Sequence, residues 1–373
     1  MGLETNQTVS ELQSNLLTGI VLAVQANFYQ VQLDSAETDS AVQDSAVPGA
    51  EAAPSLLCTR RSRLKKVGQT VMVGDRVVVE EPDWAGNRGA IAHVFPRQSE
   101  MDRPAIANIN HLLLVFALAD PPLEPLQLSR FLVKAESTGL DVTLCLNKRD
   151  LLSAEDQAYW CDRLNAWGYE PVLVSVQQEE GMEAVYRALH NRMTLVSGPS
   201  GVGKSSLLNG LLPALDLRVG DLSGKLRHGR HTTRHVELFE LPSGGFLADS
   251  PGFNQPDLAC APGDLAHYFP EARQRMQHGS CQFNDCLHHE EPDCAVRGDW
   301  ERYGDYLLFL DEAIAHQTVL DRSPDAETTT KRKSGSDGQQ ADEPKLSPQK
   351  YRRTSRRSQK QALQDLLDES ELD

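Results

Sequence analysis

Residues 198–205 read Gly-Pro-Ser-Gly-Val-Gly-Lys-Ser, a complete G-x-x-x-x-G-K-[ST] run. An apolar stretch, Met193–Ser197, leads into it, and a helix-compatible stretch, Ser205–Leu212, leads out. Strand, glycine-rich turn and helix together make a phosphate cradle. Gly198, Gly201 and Gly203 let successive backbone N–H groups face a phosphate chain. Lys204 reaches the β- and γ-phosphates, and Ser205 can ligate Mg²⁺. Pro199, Ser200, Val202 and Ser206 complete the nucleotide-contacting set. The loop also constrains the fold, because it needs a mostly parallel sheet covered by helices. Strand patterns recur at His111–Leu118, Leu140–Leu146, Pro171–Ser175, Met193–Ser197, His235–Leu241 and Gly245–Asp249. Helical stretches at Pro125–Ser137, Ala154–Trp167 and Gly181–Asn191 alternate with them, so 105–257 reads as one α/β domain.

The base-reading loop is Asn147-Lys148-Arg149-Asp150, just past an apolar strand, where open α/β sheets place ligand loops. A carboxylate at Asp150 accepts the two donors of a guanine edge, whereas adenine offers no such pair. Asn147 would brace the loop and the Lys148 stem would lie on the ring face. Ser175, in Leu-Val-Ser-Val, is a further base-side candidate. Asp249-Ser250-Pro251-Gly252 fits D-x-x-G: Asp249 would hold Mg²⁺ through water, and the Gly252 N–H would face the γ-phosphate. Between the two phosphate motifs lies Gly229-Arg230-His231-Thr232-Thr233-Arg234. A Thr here can ligate Mg²⁺ and sense triphosphate, and spacing alone leaves Thr232 and Thr233 both open. Phe253 stands where a water-orienting Gln is common, and His231 is the nearest side chain able to substitute.

Outside this domain the chain changes character. Residues 1–15 read as a frayed end. Residues 16–104 hold short strand patterns at Ile20–Val24, Phe28–Leu33, Thr70–Val73, Arg76–Glu80 and Ala90–Val94, the signature of a small β-barrel, the oligonucleotide-binding (OB) type being one candidate among several. The stretch 34–55 is acidic and rich in Ala, Ser and Pro, and reads as a disordered insert. Arg60, Arg61, Arg63, Lys65 and Lys66 form a basic run that can follow a phosphate backbone, although a charge run is equally a solvated face. In 258–322, Cys281-x₄-Cys286-x-His288-x₅-Cys294 offers three thiolates and an imidazole, a donor set for a closed, structural Zn²⁺ site. A helix is expected at Arg302–Ala315, and 323–373 reads as a disordered tail with a basic block followed by an acidic one. The longest apolar run, Leu112–Ala119, is far short of a membrane span. An odd count of seven Cys, three of them clustered, points to metal rather than disulfides and to a reducing cytoplasm. A net charge of −16 argues against indiscriminate nucleic-acid binding without excluding a local patch.

The guanine motif precedes the phosphate loop, the reverse of the Ras order, so the domain is expected to be a circularly permuted GTPase. In this order the segment after Asp249 runs directly into the Cys-rich region, which could couple the two. With Val73-Gly74-Asp75, the guanine loop, the phosphate loop, Gly-Arg-His-Thr-Thr-Arg, Asp-Ser-Pro-Gly-Phe and the Cys/His segment in this sequence, the chain resembles the ribosome small-subunit-dependent GTPase A (RsgA) family over roughly 16–315. The resemblance implies GTP hydrolysis stimulated by the small ribosomal subunit, a late role in its maturation, and ribosomal RNA as partner. It favours His231 as the catalytic residue and Thr233 as the Mg²⁺ ligand beside Ser205 and Asp249. It also implies zinc on Cys281, Cys286, His288 and Cys294. A monomer is expected. The acidic insert and the Ser-Val at 175–176 depart from the family pattern. Two other readings stay open: a GTP-gated RNA-binding scaffold with little turnover, and an ATPase of the P-loop class.

Overall fold

The computed structural model describes residues 17–34, 54–102, 104–212, 236–249, 258, 260–322, 330–334 and 340–344. They fall into two units divided after Ile314.

In the first unit, strands β1 (Leu17–Gln25), β2 (Phe28–Leu33), β3 (Ser55–Arg60), β4 (Arg76–Asp83) and β5 (Arg88–Val94) close a barrel in the order β1-β2-β3-β5-β4. All neighbours are antiparallel except β3 and β5. This is the five-stranded barrel expected, with one correction. The third strand is Ser55–Arg60, not Thr70–Val73, which contributes only a bridge from Val73 to Ile106. Leu56 and Cys58 point inward and are fully buried, and this short alternation is easily overlooked between an acidic stretch and an arginine cluster. The acidic stretch itself, 35–53, lies outside the described residues. Its flanks meet where the Leu33 N–H donates to Pro54 O at 2.9 Å. A short helix, α1 (Ser62–Lys66), follows β3, and a small pair, β6 (Glu100–Asp102) and β7 (Ala105–Ala107), leads out of the barrel.

The second sheet has six strands in the order β10-β9-β8-β11-β13-β12. They are β8 (His111–Ala117), β9 (Asp141–Asn147), β10 (Val172–Leu173), β11 (Met193–Ser197), β12 (Leu238–Glu240) and β13 (Phe246–Asp249). Only β12 runs antiparallel to its neighbour. β8 is buried on both faces at all seven positions, as a central parallel strand must be. Helices α2 (Pro125–Glu136), α3 (Ala154–Ala166), α4 (Met182–Leu189) and α5 (Lys204–Leu211) are the crossovers. Because β8, β9, β11 and β13 are parallel, the loops after them leave the sheet at one edge.

The barrel and the sheet have separate cores, and β1 joins them. Along β1, Val21 fills the barrel while Ile20 and Leu22 pack against the sheet's hydrophobic cluster, which includes Val236 and Leu238. Ala23 also bridges to Glu237. The Cys/His segment continues into α6 (Pro270–His278) and α7 (Tyr303–Arg322), the latter seven residues longer at its end than the 302–315 expected. Phe269, Tyr306 and Phe309 build its core, which Val133 of α2 joins. Arg302 is fully buried, paired with Glu271 and sandwiched 4.8 Å from the Trp167 ring and 4.9 Å from the Phe269 ring. Glu301 accepts from Arg163 at 2.5 Å and from the Trp167 indole at 2.7 Å, so this segment is riveted to the end of α3. In the second unit, Thr330–Ser334 pairs antiparallel with Gln340–Pro344. That pairing lies within 323–373, the stretch expected to be a tail.

Candidate functional site

β11 ends at Ser197 and the chain turns through Gly198, Gly201 and Gly203 at φ of 144°, 84° and 93°. A methyl group on Gly198 would sit 2.0 Å from Val115 O, and one on Gly203 would sit 2.3 Å from the Asn147 amide nitrogen. The loop is therefore wedged between the ends of β8 and β9, and glycine is required by crowding as well as by φ. α5 starts at Lys204, so Ser205 and Ser206 lie in its first turn, where backbone N–H groups are unpaired within the helix. The Lys204 Nζ folds over its own loop and donates to Gly198 O at 2.7 Å and Pro199 O at 2.6 Å.

The 147–150 loop, expected to read guanine, meets this loop directly. Asn147 closes β9 with 3% of its surface exposed, and its Nδ2 donates to Val202 O at 2.9 Å. Lys148 takes the left-handed conformation at φ 60°, which turns its side chain back across the phosphate loop. Its Nζ donates to Gly201 O at 3.1 Å and to Asp120 O. Asp150 follows in a 3-10 turn, Arg149–Leu151, anchored by Arg149 N–H donating to Val174 O at 3.1 Å. Ser175 is buried, its backbone doubly bonded to Glu180 and its Oγ accepting from Gln178 N–H at 3.2 Å. The Val176 N–H next to it donates to Asn147 Oδ1 at 3.4 Å. The two base-side loops and the phosphate loop thus share one hydrogen-bond network.

Parallel pairing sets Asp249 opposite Val196, one residue before the phosphate loop's strand ends. Asp249 therefore leaves the sheet at the same edge. Gly252, His231 and Thr233 lie outside the described residues.

At the second candidate site, Cys281 Sγ, Cys286 Sγ, Cys294 Sγ and His288 Nδ1 lie within 4.8 Å of one another. Cys281 and Cys294 sulfurs are 3.9 Å apart, and the three sulfurs stand 3.3–3.5 Å from His288 Nδ1. A disulfide needs about 2.05 Å. Ligand bonds of about 2.3 Å to sulfur and 2.0 Å to nitrogen give tetrahedron edges of about 3.5–3.8 Å, so the donor set fits a four-coordinate metal. His289 donates only its backbone N–H, to Glu291. Three residues that spacing did not point to hold the loop. Glu291 accepts from the Leu287 and His289 N–H groups on either side of His288, Tyr303 donates to His288 O at 2.8 Å, and Tyr306 to Leu287 O at 2.6 Å. The i, i+3 spacing of the two tyrosines on α7 is the signal that could have found them.

The basic run is partly committed to the barrel. Arg60 donates to Gln69 O at 2.6 Å, Arg63 to Ala92 O at 3.2 Å, and Arg61 pairs with Glu81 at 2.7 Å. Lys65 and Lys66 remain exposed.

A model of the RsgA GTPase family matches residues 94–259. A Trichormus variabilis protein named small ribosomal subunit biogenesis GTPase RsgA is 62% identical over 370 residues, covering 95% of this chain and 98% of that one. This chain belongs to the RsgA GTPase family. Its solved relatives include YjeQ from Thermotoga maritima (TM-score 0.64, 28% identity, 80% of this chain and 99% of that one). They also include YloQ, described as a circularly permuted GTPase (TM-score 0.63, 28% identity, 83% and 97%). The permuted order read from the motifs is therefore a property of the RsgA fold, and the chain is a GTP hydrolase.

Proposed function

We infer that this RsgA-family protein hydrolyses GTP in response to the small ribosomal subunit and acts late in that subunit's maturation. The observation that carries this is the bond from Asn147 to Val202, which ties a guanine-reading loop to a phosphate loop at one sheet edge. The relatives' names supply the subunit. In this reading Asp150 accepts the guanine edge, with Asn147, Lys148 and Ser175 beside it, and residues 198–206 wrap the phosphates. Mg²⁺, which neutralises the developing phosphate charge, is held by Ser205, Thr233 and Asp249, with Gly252 at the γ-phosphate. His231 orients the attacking water in place of the Gln that Phe253 replaces. Zn²⁺ on Cys281, Cys286, His288 and Cys294 supplies folding support and no chemistry. The barrel of 16–104 is the RNA-contacting part, 105–257 the GTPase and 258–322 the metal-binding part. The chain works as a monomer in the cytoplasm, among assembling subunits.

Phe253 also favours a second reading, a GTP-gated assembly scaffold with little turnover. Single-turnover GTP hydrolysis with and without purified small subunits separates them. The enzyme reading expects strong stimulation that His231→Ala removes. Hydrolysis that small subunits do not stimulate supports the scaffold; stimulation indifferent to His231 keeps the enzyme and moves the water-orienting role to another side chain.

A further inference from the structure

The barrel's outer face over β2 and β3 carries Phe28, Gln30, Ser55, Leu57 and Thr59, with Arg88 of β5 beside Leu57. Phe28 is 49% exposed and Leu57 45%. They are diagonal neighbours, because Phe28 pairs with Thr59 and Gln30 with Leu57. Trp84, 54% exposed, stands in the β4–β5 turn, which follows Leu57 along the sheet: the Leu57 N–H donates to Asn87 O at 2.9 Å. None of these residues is acidic, although the chain carries 53 acids and a net charge of −16. Among the described carboxylates around this face, Glu80 and Glu81 pair with Arg61, Asp83 caps the turn by accepting from Gly86 N–H at 3.0 Å, and Glu240 accepts from Gln32, the β2 residue opposite Ser55.

An exposed Phe on a barrel face and an exposed Trp in the turn that adjoins it, with neutral hydrogen-bonding side chains and an Arg between, have specific chemistry. Aromatic faces stack on unpaired bases of any sequence, amides and hydroxyls meet base edges, and the guanidinium meets phosphate. Small barrels of this topology offer the β2–β3 face and the β1–β2 and β4–β5 turns to oligonucleotides. The span from the Thr59 row to the Ser55 row is four residues, about 13 Å, room for two or three extended nucleotides. A duplex hides its base faces and gains nothing from such a surface.

We propose that this face, from Phe28 across Leu57 and Arg88 to Trp84, is a stacking platform for a short run of unpaired RNA nucleotides. The proposal deepens the reading that the barrel meets RNA, and rests on it. It moves the principal contact from the basic run of 60–66 to a face whose aromatics carry the affinity.

The test uses the full chain and an unstructured RNA octamer, against the same octamer annealed to its complement. The single strand is expected to bind more tightly than the duplex and to quench the fluorescence contributed by Trp84. Phe28→Ser and Trp84→Ser should each weaken it about tenfold, the effect of one lost base–aromatic stack. Basal GTP hydrolysis should not change in either variant, which also reports that they fold. Equal affinity for strand and duplex overturns the platform. So does single-strand binding that both variants retain. If small subunits still bind wild type and the Ser variants alike, the platform fails while the barrel–RNA reading stands. If the variants lose subunit binding but wild type takes no octamer, the face docks a protein and the proposal is wrong. A wild-type dimer that either substitution dissolves would assign the face to self-association and overturn it equally.

Discussion

At Gly203 the space for one methyl group is already filled by the Asn147 amide, 2.3 Å from where that carbon would lie. Two motifs far apart in sequence therefore depend on one missing side chain. Gly203→Ala also forces a left-handed φ of 93° on an L-residue, a strain of about 1–3 kcal/mol. It is expected to lower GTP affinity by about tenfold or more, measured by equilibrium titration, while the chain stays folded. Unchanged affinity would mean that the two loops do not need this contact. His111 makes a second prediction at this scale. Buried between Thr194 and Thr143, each 2.9 Å from a ring nitrogen, it has its pKa lowered to about 4 by burial, with Arg192 adding to the shift and Asp141 opposing it. The unfolded chain takes up that proton near pH 6.5. The contribution to stability is therefore full above about pH 6.5 and falls as pH drops toward 4, by about 1.4 kcal/mol per pH unit at most. Denaturation midpoints followed between those values should slope more steeply for the native chain than for His111→Gln; parallel slopes would refute it.

Among the elements, the rivet at Arg302 decides how the metal-binding segment sits on the GTPase. Removing its partner, Glu271→Ala, leaves a guanidinium buried among Trp167, Tyr169 and Phe269 and should cost about 3–5 kcal/mol in a urea titration. A loss below about 1 kcal/mol would mean that the pair is reached by water. The same scale shows what sequence could and could not convey. β8, β9, β11 and the helices Pro125–Glu136 and Ala154–Ala166 lie within a residue or so of their expected bounds, because the strands are apolar runs bounded by polar or turn residues and the helices are long enough to show one period. β3 was missed because only Leu56 and Cys58 mark its buried face, and β10 shrank to two residues because it is an edge strand. That residues 147–150 would meet residues 198–205, and that Cys281, Cys286, His288 and Cys294 would cluster, was legible because the chemistry expected of each motif fixes both residue type and spacing. Arg302, Glu291 and the tyrosines of α7 were not, since their roles arise from tertiary packing that no local pattern encodes.

Over the whole molecule, the strand that lines the barrel also packs on the GTPase sheet, beside Val236 and Leu238. Events on the barrel are thus mechanically close to the sheet's edge strand. On the proposal that the Cys281, Cys286, His288 and Cys294 cluster holds a structural zinc, Cys286→Ser should abolish stoichiometric zinc by elemental assay and lower the unfolding midpoint. Retained zinc would contradict the four-ligand assignment. The central claim is that loops in shuffled order form one guanine nucleotide site. Competition of GTP and ATP for the nucleotide-free chain tests it most directly. GTP should win by at least about a hundredfold, the discrimination a site built to pair specific base donors provides, and Asp150→Asn should erase most of that margin. Equal competition by ATP, or a preference untouched by Asp150→Asn, would contradict the claim.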